Sequence, residues 1–218
     1  MIKRAFDFTF SLFGIILSVP VWLVITLAIL IEDGWPVLYS QERMGKDCVI
    51  FKALKFRSMV KEAEKLTGPI QAKEDDQRVT KVGKVLRALA MDELPQLINI
   101  LRGDISFVGP RALRSEEIEV ADNVLKKALD YPHFEERSKI KPGLTGVAQV
   151  FAPRDISRKE KFGYDAWYIR NQNFWLDIYI IILSFLVTFR GKWELRKSKF
   201  NYLGRSLKEL IQSQLGES

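Results

Sequence analysis

The chain has 218 residues, enough for one globular domain together with membrane-embedded pieces, and it contains no internal repeat. Its 34 lysines and arginines exceed its 27 aspartates and glutamates, and the net charge of +7 favours anionic partners such as lipid head groups, phosphorylated metabolites or nucleic acid. Because Cys48 is the only cysteine and His133 the only histidine, the chain can form neither an intrachain disulfide nor a zinc cluster built on thiolates.

An apolar segment near the N-terminus, residues 8–31, contains no charged residue. As a helix it would be about 36 Å long, enough to cross a hydrocarbon core of roughly 30 Å. Pro20 predicts a kink in its middle, where Ser18 can satisfy a freed carbonyl. Since Lys3 and Arg4 precede the segment and a basic domain follows it, we expect a re-entrant hairpin with both ends in the cytosol. A signal peptide is disfavoured because no small-residue cleavage site follows.

The middle of the chain predicts a β-hairpin followed by helices. Two apolar, partly alternating runs in residues 36–56 surround a turn that contains Gly45, Lys46 and Asp47. Apolar spacing and capping residues predict four helices after it: one after Thr80, a short one between Pro95 and Gly103, one from Ser115 to before Pro132, and one over residues 157–171. A glycine-rich loop, residues 141–146, precedes the last of them.

Two further segments lie near the C-terminus. Residues 178–189 are uncharged but too short to span a bilayer, so we expect them to be interfacial or part of the core. The tail, residues 191–218, combines apolar residues at helical spacing with several lysines and arginines. This pattern fits either a helix on an anionic membrane surface or a solvated terminal helix.

Asp92 and Glu93 are the candidate reactive residues. They lie at the N-terminus of the short predicted helix, where an acidic pair is most often only a cap. The positive field of a helix N-terminus also keeps a carboxylate ionised and attracts a phosphate. An anion attacking a diphosphate needs cations to offset repulsion, and Arg87, Arg111 and a bound Mg²⁺ can provide them. Mg²⁺ needs only one or two carboxylates together with substrate phosphates.

Other charged residues extend this candidate site. Arg111 follows a rigid Gly-Pro turn that suits it to hold a phosphate, although a surface ion pair is an equal alternative. Lys55 and Arg57 form a second basic pair at the end of the second predicted strand. Asp75, Asp76 and Arg78 form either a salt-bridged turn or part of the site, and the sequence does not separate the two.

Several motifs, in order along nearly the whole chain, resemble those of the bacterial sugar transferases, the small monotopic phosphoglycosyl transferases that start glycan assembly on polyprenyl phosphate. These motifs are KRAFDF, PVLYSQERMG, KFRSM, DELPQL, GDISFVGPR, KPGLTGVAQV, YDAWYI and FWLDI. The resemblance implies a bacterial inner-membrane enzyme whose catalytic domain faces the cytoplasm. The implied fold is α+β and mostly helical, with an N-terminal re-entrant helix, a small β-hairpin and interfacial amphipathic helices.

The resemblance also implies a two-step reaction. Asp92 would attack the β-phosphorus of a nucleotide diphosphate sugar, usually a UDP-sugar, releasing UMP and leaving an aspartyl phosphosugar that undecaprenyl phosphate then cleaves. The family pattern assigns Mg²⁺ to Asp92 and Glu93 and phosphate contacts to Arg87 and Arg111, while Glu93 would assist with the metal or as a base. The chain departs from the family pattern at two positions. Ala112 stands where many members have proline, and Val19 separates Ser18 from Pro20, whereas many members have serine directly before that proline.

We therefore expect three parts: a re-entrant membrane helix in residues 1–33, a catalytic domain in residues 34–190 and a basic amphipathic tail in residues 191–218. The competing hypothesis is a non-catalytic membrane-surface scaffold that binds anionic lipid or partner enzymes, with salt-sensitive lipid binding and no turnover. Nucleic-acid binding rests on net charge alone and lacks a docking motif. The sequence names neither the sugar nor the polysaccharide, and a homo-oligomer is possible.

Overall fold

The computed structural model describes residues 2–61, 63, 76–114, 118–121, 124–153 and 156–189. The helices in these ranges are α1 (Ile2–Asp33), α2 (Lys81–Ala88), α3 (Gln96–Arg102), α4 (Phe134–Ser138), α5 (Val147–Phe151), α6 (Arg158–Asn171) and α7 (Phe174–Phe189). The strands are β1 (Leu38–Met44), β2 (Ile50–Phe56), β3 (Ser106–Val108), β4 (Ile118–Ala121), β5 (Val124–Lys127) and β6 (Gly143–Thr145). They form two-stranded sheets, with β1–β2 and β4–β5 antiparallel and β3–β6 parallel. The predicted mostly helical α+β class is confirmed.

Capping residues confirm several predicted boundaries. Thr80 precedes α2, and its hydroxyl accepts a hydrogen bond of 2.9 Å from the Gly83 amide. Ser157 caps α6 in a capping box with Glu160. Gly103 ends α3 with φ +91°, a left-handed conformation that glycine adopts without a steric cost. The predicted hairpin is also correct, since β1 and β2 occupy the expected run.

The helix predicted from Ser115 to before Pro132 is wrong. Within the described residues this stretch forms the hairpin β4–β5, in which Ala121 pairs with Val124, and then a 3₁₀ turn, Ala128–Asp130. The apolar residues satisfied a helical period, but several of them are β-branched, and residues 122–123 are an Asp-Asn pair of the kind favoured in tight turns. Residues 115–117, which supplied the predicted helix start, lie outside the described ranges.

Helix α1 continues without interruption across Pro20. It is the one helix among the described residues that is long and apolar enough to cross a membrane, a property shared by core helices of soluble proteins and by signal sequences. Ser18 donates to the Ile15 carbonyl at 3.1 Å rather than to the Ile16 carbonyl that the proline leaves without its amide partner. The predicted kink and the re-entrant path stay predictions.

The first turn of α1 is bonded to the body of the protein. Lys3 Nζ lies 2.5 Å from Asp177 Oδ2 in α7 and 3.0 Å from the Val108 carbonyl in β3. The Arg4 guanidinium donates at 2.7 Å to each of two carbonyls at the end of α3. Asp7, also buried, accepts hydrogen bonds from the start of β3. Lys3 and Arg4, the basic residues used to predict the membrane topology, are therefore bonded within the protein.

The last turn of α1 is bonded to the same body. The Glu32 carboxylate accepts hydrogen bonds from the amides of Lys81 and Val82, at 2.6 and 2.8 Å, and so caps α2. Asp33 Oδ2 lies 2.9 Å from the buried Arg57 guanidinium. Both ends of α1 thus contact elements of one domain.

Helix α7 is partly core and partly exposed. Ile180 and Leu183 are buried in a cluster that includes Trp167 of α6, whereas Trp175 and Phe185 are exposed. Because α7 presents one face to the core, the core alternative for residues 178–189 is confirmed for that face, and an interfacial position of the exposed face stays a prediction. The tail, residues 191–218, lies outside the described residues, and the predicted division into three parts stays a prediction.

Candidate active site

The predicted carboxylate pair lies in a short 3₁₀ turn, Met91–Glu93, directly before α3. This turn begins at Ala90, whose φ of 52° is left-handed. Asp92 is buried, with 8% of its surface exposed, and Glu93 is partly buried. The acidic pair therefore precedes the short helix, as predicted, in a turn of its own.

Lys55 of β2 reaches both carboxylates. Its Nζ lies 2.5 Å from Glu93 Oε1 and 4.0 Å from Asp92 Oδ2. The buried side chain of Asn99 fixes α3 against β2, because it accepts from the Leu54 amide at 3.0 Å and donates to the Lys52 carbonyl at 2.8 Å. Asn99, which the sequence analysis did not single out, thus holds the lysine and the carboxylates on facing elements.

The two carboxylates differ in acidity. Burial raises the pKa of Asp92 and the charge of Glu93 adds to this effect, whereas Lys55 and Arg87 oppose it. Burial also acts to raise the pKa of Glu93, but the positive charges of Lys55 and Arg111 outweigh it and hold that pKa below its ordinary value. Asp92 is therefore more basic than an ordinary aspartate, and Glu93 is less basic than an ordinary glutamate.

Arginines surround the pair at longer range. Arg87 is exposed in the last turn of α2 and acts electrostatically on Asp92, while Arg111 is exposed just after β3 and acts on Glu93. Arg43 of β1 also acts on Glu93 and was missed. The strand register could have found it, because Arg43 pairs with Phe51, four residues before Lys55, and so shares a hairpin face with that lysine.

Two other predicted groups are bonded to residues other than the carboxylate pair. The buried Arg57 guanidinium donates to the Asp33 and Gly34 carbonyls, at 3.0 and 2.6 Å, and so anchors the end of α1. Arg78 binds Asp76 through two nitrogens, at 2.9 and 2.6 Å, and lowers the pKa of Asp76 to about 2. The predicted salt bridge is therefore observed for these two residues, the positive charge of Arg87 also lowers the pKa of Asp76, and Asp75 lies outside the described ranges.

The backbone that carries Arg111 is held at four successive carbonyls, those of residues 110–113. Their donors are the Gly143 amide for Pro110 (2.9 Å), Arg137 for Arg111 (2.7 Å), Arg43 for Ala112 (3.1 Å) and the Met44 amide for Leu113 (2.8 Å). A Cβ on Gly143 would lie 2.0 Å from the Gly109 nitrogen, so this close approach requires glycine. Ala112 stands where many family members have proline, and the hydrogen bond to its carbonyl is one that a proline carbonyl could also accept.

The carboxylate pair has a donor set suited to magnesium. Within the described residues no group of three or more histidines, cysteines, aspartates and glutamates is placed to hold a metal ion. Mg²⁺ commonly takes one or two carboxylates and completes its shell with phosphate and water oxygens, so Asp92 and Glu93 fit. Such an ion would share Glu93 with Lys55.

The carboxylate pair thus lies within the influence of Lys55, Arg87 and Arg111, in a protein whose helix α1 is apolar and largely exposed. The chain belongs to the bacterial sugar transferase family, whose sequence profile matches residues 1–191. This result confirms the family predicted from the motifs and its class, a transferase.

Relatives of known name span different lengths. The chain is 37% identical over 189 residues to the undecaprenyl-phosphate glucose phosphotransferase of Komagataeibacter xylinus, covering 84% of this chain and 35% of that protein. It is 33% identical over 204 residues to the undecaprenyl-phosphate galactose phosphotransferase of Salmonella typhimurium, with coverages of 87% and 40%. Against the exopolysaccharide production protein ExoY of Sinorhizobium fredii, identity is 34% over 193 residues, with coverages of 82% and 81%. The chain thus spans well under half of the first two relatives and about four fifths of the third.

Proposed function

We propose that this protein transfers a sugar 1-phosphate from a nucleotide diphosphate sugar, a UDP-sugar in the simplest case, to undecaprenyl phosphate. The transfer would be the first membrane step of bacterial glycan or polysaccharide assembly. The observation that carries the proposal is the unequal placement of Lys55, which is bonded to Glu93 at 2.5 Å but lies 4.0 Å from Asp92. Asp92 is left basic, beside a cation and not bonded to it, which suits a nucleophile.

In the first step an Asp92 carboxylate oxygen bonds to the β-phosphorus of the donor. The bond from that phosphorus to the oxygen bridging it to the α-phosphate breaks, the electron pair leaves with UMP, and an aspartyl phosphosugar remains. Lys55, Arg87 and Arg111 offset the repulsion between the carboxylate and the diphosphate. A magnesium ion on Asp92 and Glu93 would further neutralise the diphosphate charge when bound.

In the second step a phosphate oxygen of undecaprenyl phosphate bonds to the phosphorus of the intermediate. The bond from that phosphorus to Asp92 breaks, the carboxylate is restored, and the sugar is left on a polyprenyl diphosphate. Glu93 keeps Lys55 beside the reacting carboxylate in both steps through its ion pair. Because UMP leaves before the acceptor reacts, initial-rate kinetics should be of the ping-pong type.

The attachment of α1 at both ends supports a re-entrant path. A straight membrane-crossing helix would separate the Lys3–Asp177 contact from the Asp33–Arg57 contact by a hydrocarbon core of roughly 30 Å. One domain with polar surfaces binds both ends more readily if both are on one side. We propose that the protein lies in the bacterial inner membrane, with its catalytic domain and both ends of α1 on the cytoplasmic side.

An impermeant thiol reagent tests this topology. In a Cys48→Ser background, a cysteine replacing the exposed Ile2 should react only after cells are permeabilised. Labelling of Ile2→Cys in intact cells would contradict the re-entrant path and leave the chemistry at Asp92 untouched.

The reaction is tested with purified protein. UMP formation should be measured across UDP-sugars with undecaprenyl phosphate and Mg²⁺, and the donor-only mixture should be digested to find a sugar phosphate on the peptide that contains Asp92. Asp92→Asn should abolish UMP release and the adduct, whereas Asp47→Asn, at an exposed turn residue, should change neither. Unchanged UMP release from Asp92→Asn would refute its role. Salt-sensitive binding to anionic vesicles without turnover of any UDP-sugar would favour the scaffold.

A further inference from the structure

A buried ion pair between Arg137 and Asp165 lies next to the loop that carries Arg111. Arg137 of α4 is 7% exposed, and its Nε donates to Asp165 Oδ2 of α6 at 3.2 Å. Its guanidinium carbon also lies 4.4 Å from the centroid of the Phe162 ring. Burial raises the pKa of Asp165 to about 6, against the opposing charge of Arg137. Buried pairs of this kind often contribute less to stability than apolar replacements, so stability alone is a weak reason for this one.

The same guanidinium contacts the loop that carries Arg111. Its second nitrogen donates at 2.7 Å to the Arg111 carbonyl, while the Arg111 side chain is exposed and acts on Glu93. Arg137 is therefore attached to the main chain of Arg111 and leaves its side chain free for substrate. Arg43 binds the next carbonyl of the loop, but it also acts on Glu93 directly. Replacing Arg43 would therefore change two interactions at once, so Arg137 is the better residue for a test.

We propose that Arg137, held by Asp165, is a positioning residue that fixes the Arg111 backbone so that its guanidinium meets the donor diphosphate. The proposal rests on the proposed function, because it takes Arg111 as a donor contact. A displacement of about 1 Å in a substrate-positioning group can cost roughly a hundredfold in rate. Fixing the main chain of Arg111 therefore bears on kcat/KM for the donor.

The chemistry of arginine explains why this residue type is needed. The planar guanidinium offers donors in a fixed fork, and here one nitrogen serves a carboxylate while another serves a carbonyl. A lysine at position 137 would keep the charge but has a single nitrogen, which cannot occupy both donor positions. Arg137→Lys therefore removes the positioning contact or the ion pair while preserving net charge.

The experiment is a double-mutant cycle on the donor half-reaction. UMP formation is measured with undecaprenyl phosphate present for Arg137→Lys, for Arg111→Ala and for the two combined, because in ping-pong kinetics kcat/KM for the donor reports the donor half-reaction alone. Arg137→Lys alone should lower kcat/KM for the donor about tenfold, mainly through KM, whereas in the Arg111→Ala background it should change kcat/KM by less than about twofold. The matched control is Arg170→Lys, because Arg170 of α6 pairs with Glu136 of α4 on the surface and joins the same two helices. It should change kcat/KM by less than about twofold.

An equal effect of Arg137→Lys in both backgrounds would show that Arg137 does not act through Arg111 and would overturn the proposal. If single variants fold poorly, the double variant Arg137→Met/Asp165→Leu removes both charges and should fold. It should show the same donor defect, and wild-type donor kinetics in that variant would also overturn the proposal.

Hydrogen exchange gives a readout that does not depend on turnover. The Gly109 amide bonds to the Thr145 carbonyl and the Gly143 amide to the Pro110 carbonyl, each at 2.9 Å. Both amides should exchange faster in Arg137→Lys and at the wild-type rate in Arg170→Lys, and unchanged exchange in Arg137→Lys would overturn the proposal. If Arg111→Ala leaves donor kinetics unchanged, the donor contact assigned to Arg111 fails, and hydrogen exchange still decides whether Arg137 fixes the loop.

Discussion

Two buried aspartates, Asp92 and Asp165, sit beside cations in different ways. They are 8% and 4% exposed, and burial raises the pKa of each. Asp165 is bonded to Arg137 at 3.2 Å, whereas the ammonium of Lys55 stays 4.0 Å from Asp92 and is bonded to Glu93 instead. Asp165 is thus hydrogen-bonded to its cation, whereas Asp92 lies near positive charge without such a bond. Under the proposed function, this difference distinguishes a structural carboxylate from the nucleophile.

The largest expected effect is the loss of activity on replacing Asp92. Asp92→Asn should lower UMP formation by roughly a thousandfold or more, because the amide is not a nucleophile. Its melting temperature should equal or exceed that of the wild type, since the change removes a charge whose burial is unfavourable and leaves Lys55 bonded to Glu93. Thermal unfolding in detergent measures this. A melting temperature several degrees lower would instead make Asp92 structural.

The second prediction concerns stability around Asp165. Arg137→Met should cost about 3 kcal/mol or more at pH 8, because it leaves Asp165 buried without its partner. The cost should shrink as the pH falls. A carboxyl whose folded pKa lies above its unfolded value loses stability as the pH rises through the folded pKa, which is about 6 with Arg137 present and higher without it.

Denaturant unfolding at pH 5 and pH 8 checks this prediction, with Arg137→Met/Asp165→Leu as the control that removes both charges. That double variant should be close to the wild type in stability at both pH values. A single-variant cost that does not depend on pH would mean that Asp165 does not carry the effect.

The third prediction concerns Lys55, which lowers the pKa of Asp92. The donor half-reaction requires ionised Asp92, so its rate should fall as the pH drops through the Asp92 pKa. In Lys55→Met this acid limb should move to higher pH, because the opposing positive charge is lost. Lys46→Met, which alters an exposed contact of 3.9 Å with Asp47, should leave the limb in place. If the acid limb of the pH–rate profile stays at the same pH in Lys55→Met, Lys55 does not lower the pKa of Asp92.

The smallest expected effect is at the surface ion pair between Arg170 and Glu136. Arg170 is 60% exposed, and both of its contacts are 3.0 Å. Arg170→Ala should change the free energy of unfolding by about 0.5 kcal/mol or less, because solvent screens such pairs. A loss comparable to that of Arg137→Met would mean that contact between α4 and α6, rather than burial of charge, determines the cost.

The features that were predicted correctly from the sequence are those that depend on residues close together along the chain. The caps at Thr80 and Gly103 act within a few residues of themselves and were found, as was the start of α6 at Ser157. The acidic pair was found from its place before a short helix and from its motif. The wrong helix over residues 118–127 shows the limit, because apolar residues there satisfied a helical period while the chain pairs two strands.

Contacts between distant segments could not be predicted in this way. Asn99 joins α3 to a strand 45 residues earlier, and Arg137 reaches a carbonyl 26 residues earlier and a carboxylate 28 residues later. Arg57 looked like a phosphate ligand because it follows a strand beside Lys55, yet its guanidinium is bonded to the end of α1. Such assignments depend on tertiary packing, which no spacing within one segment records.

The bond between Lys3 and Asp177 also bears on how the chain is synthesised. These residues are 174 positions apart, so the ribosome makes the partner of the first helical turn long after that turn has emerged. At roughly 5 to 20 residues per second, the delay is about 9 to 35 seconds. Throughout that interval the apolar α1 lacks its final docking surface, and early insertion into lipid would shield it from aggregation until the last helices arrive.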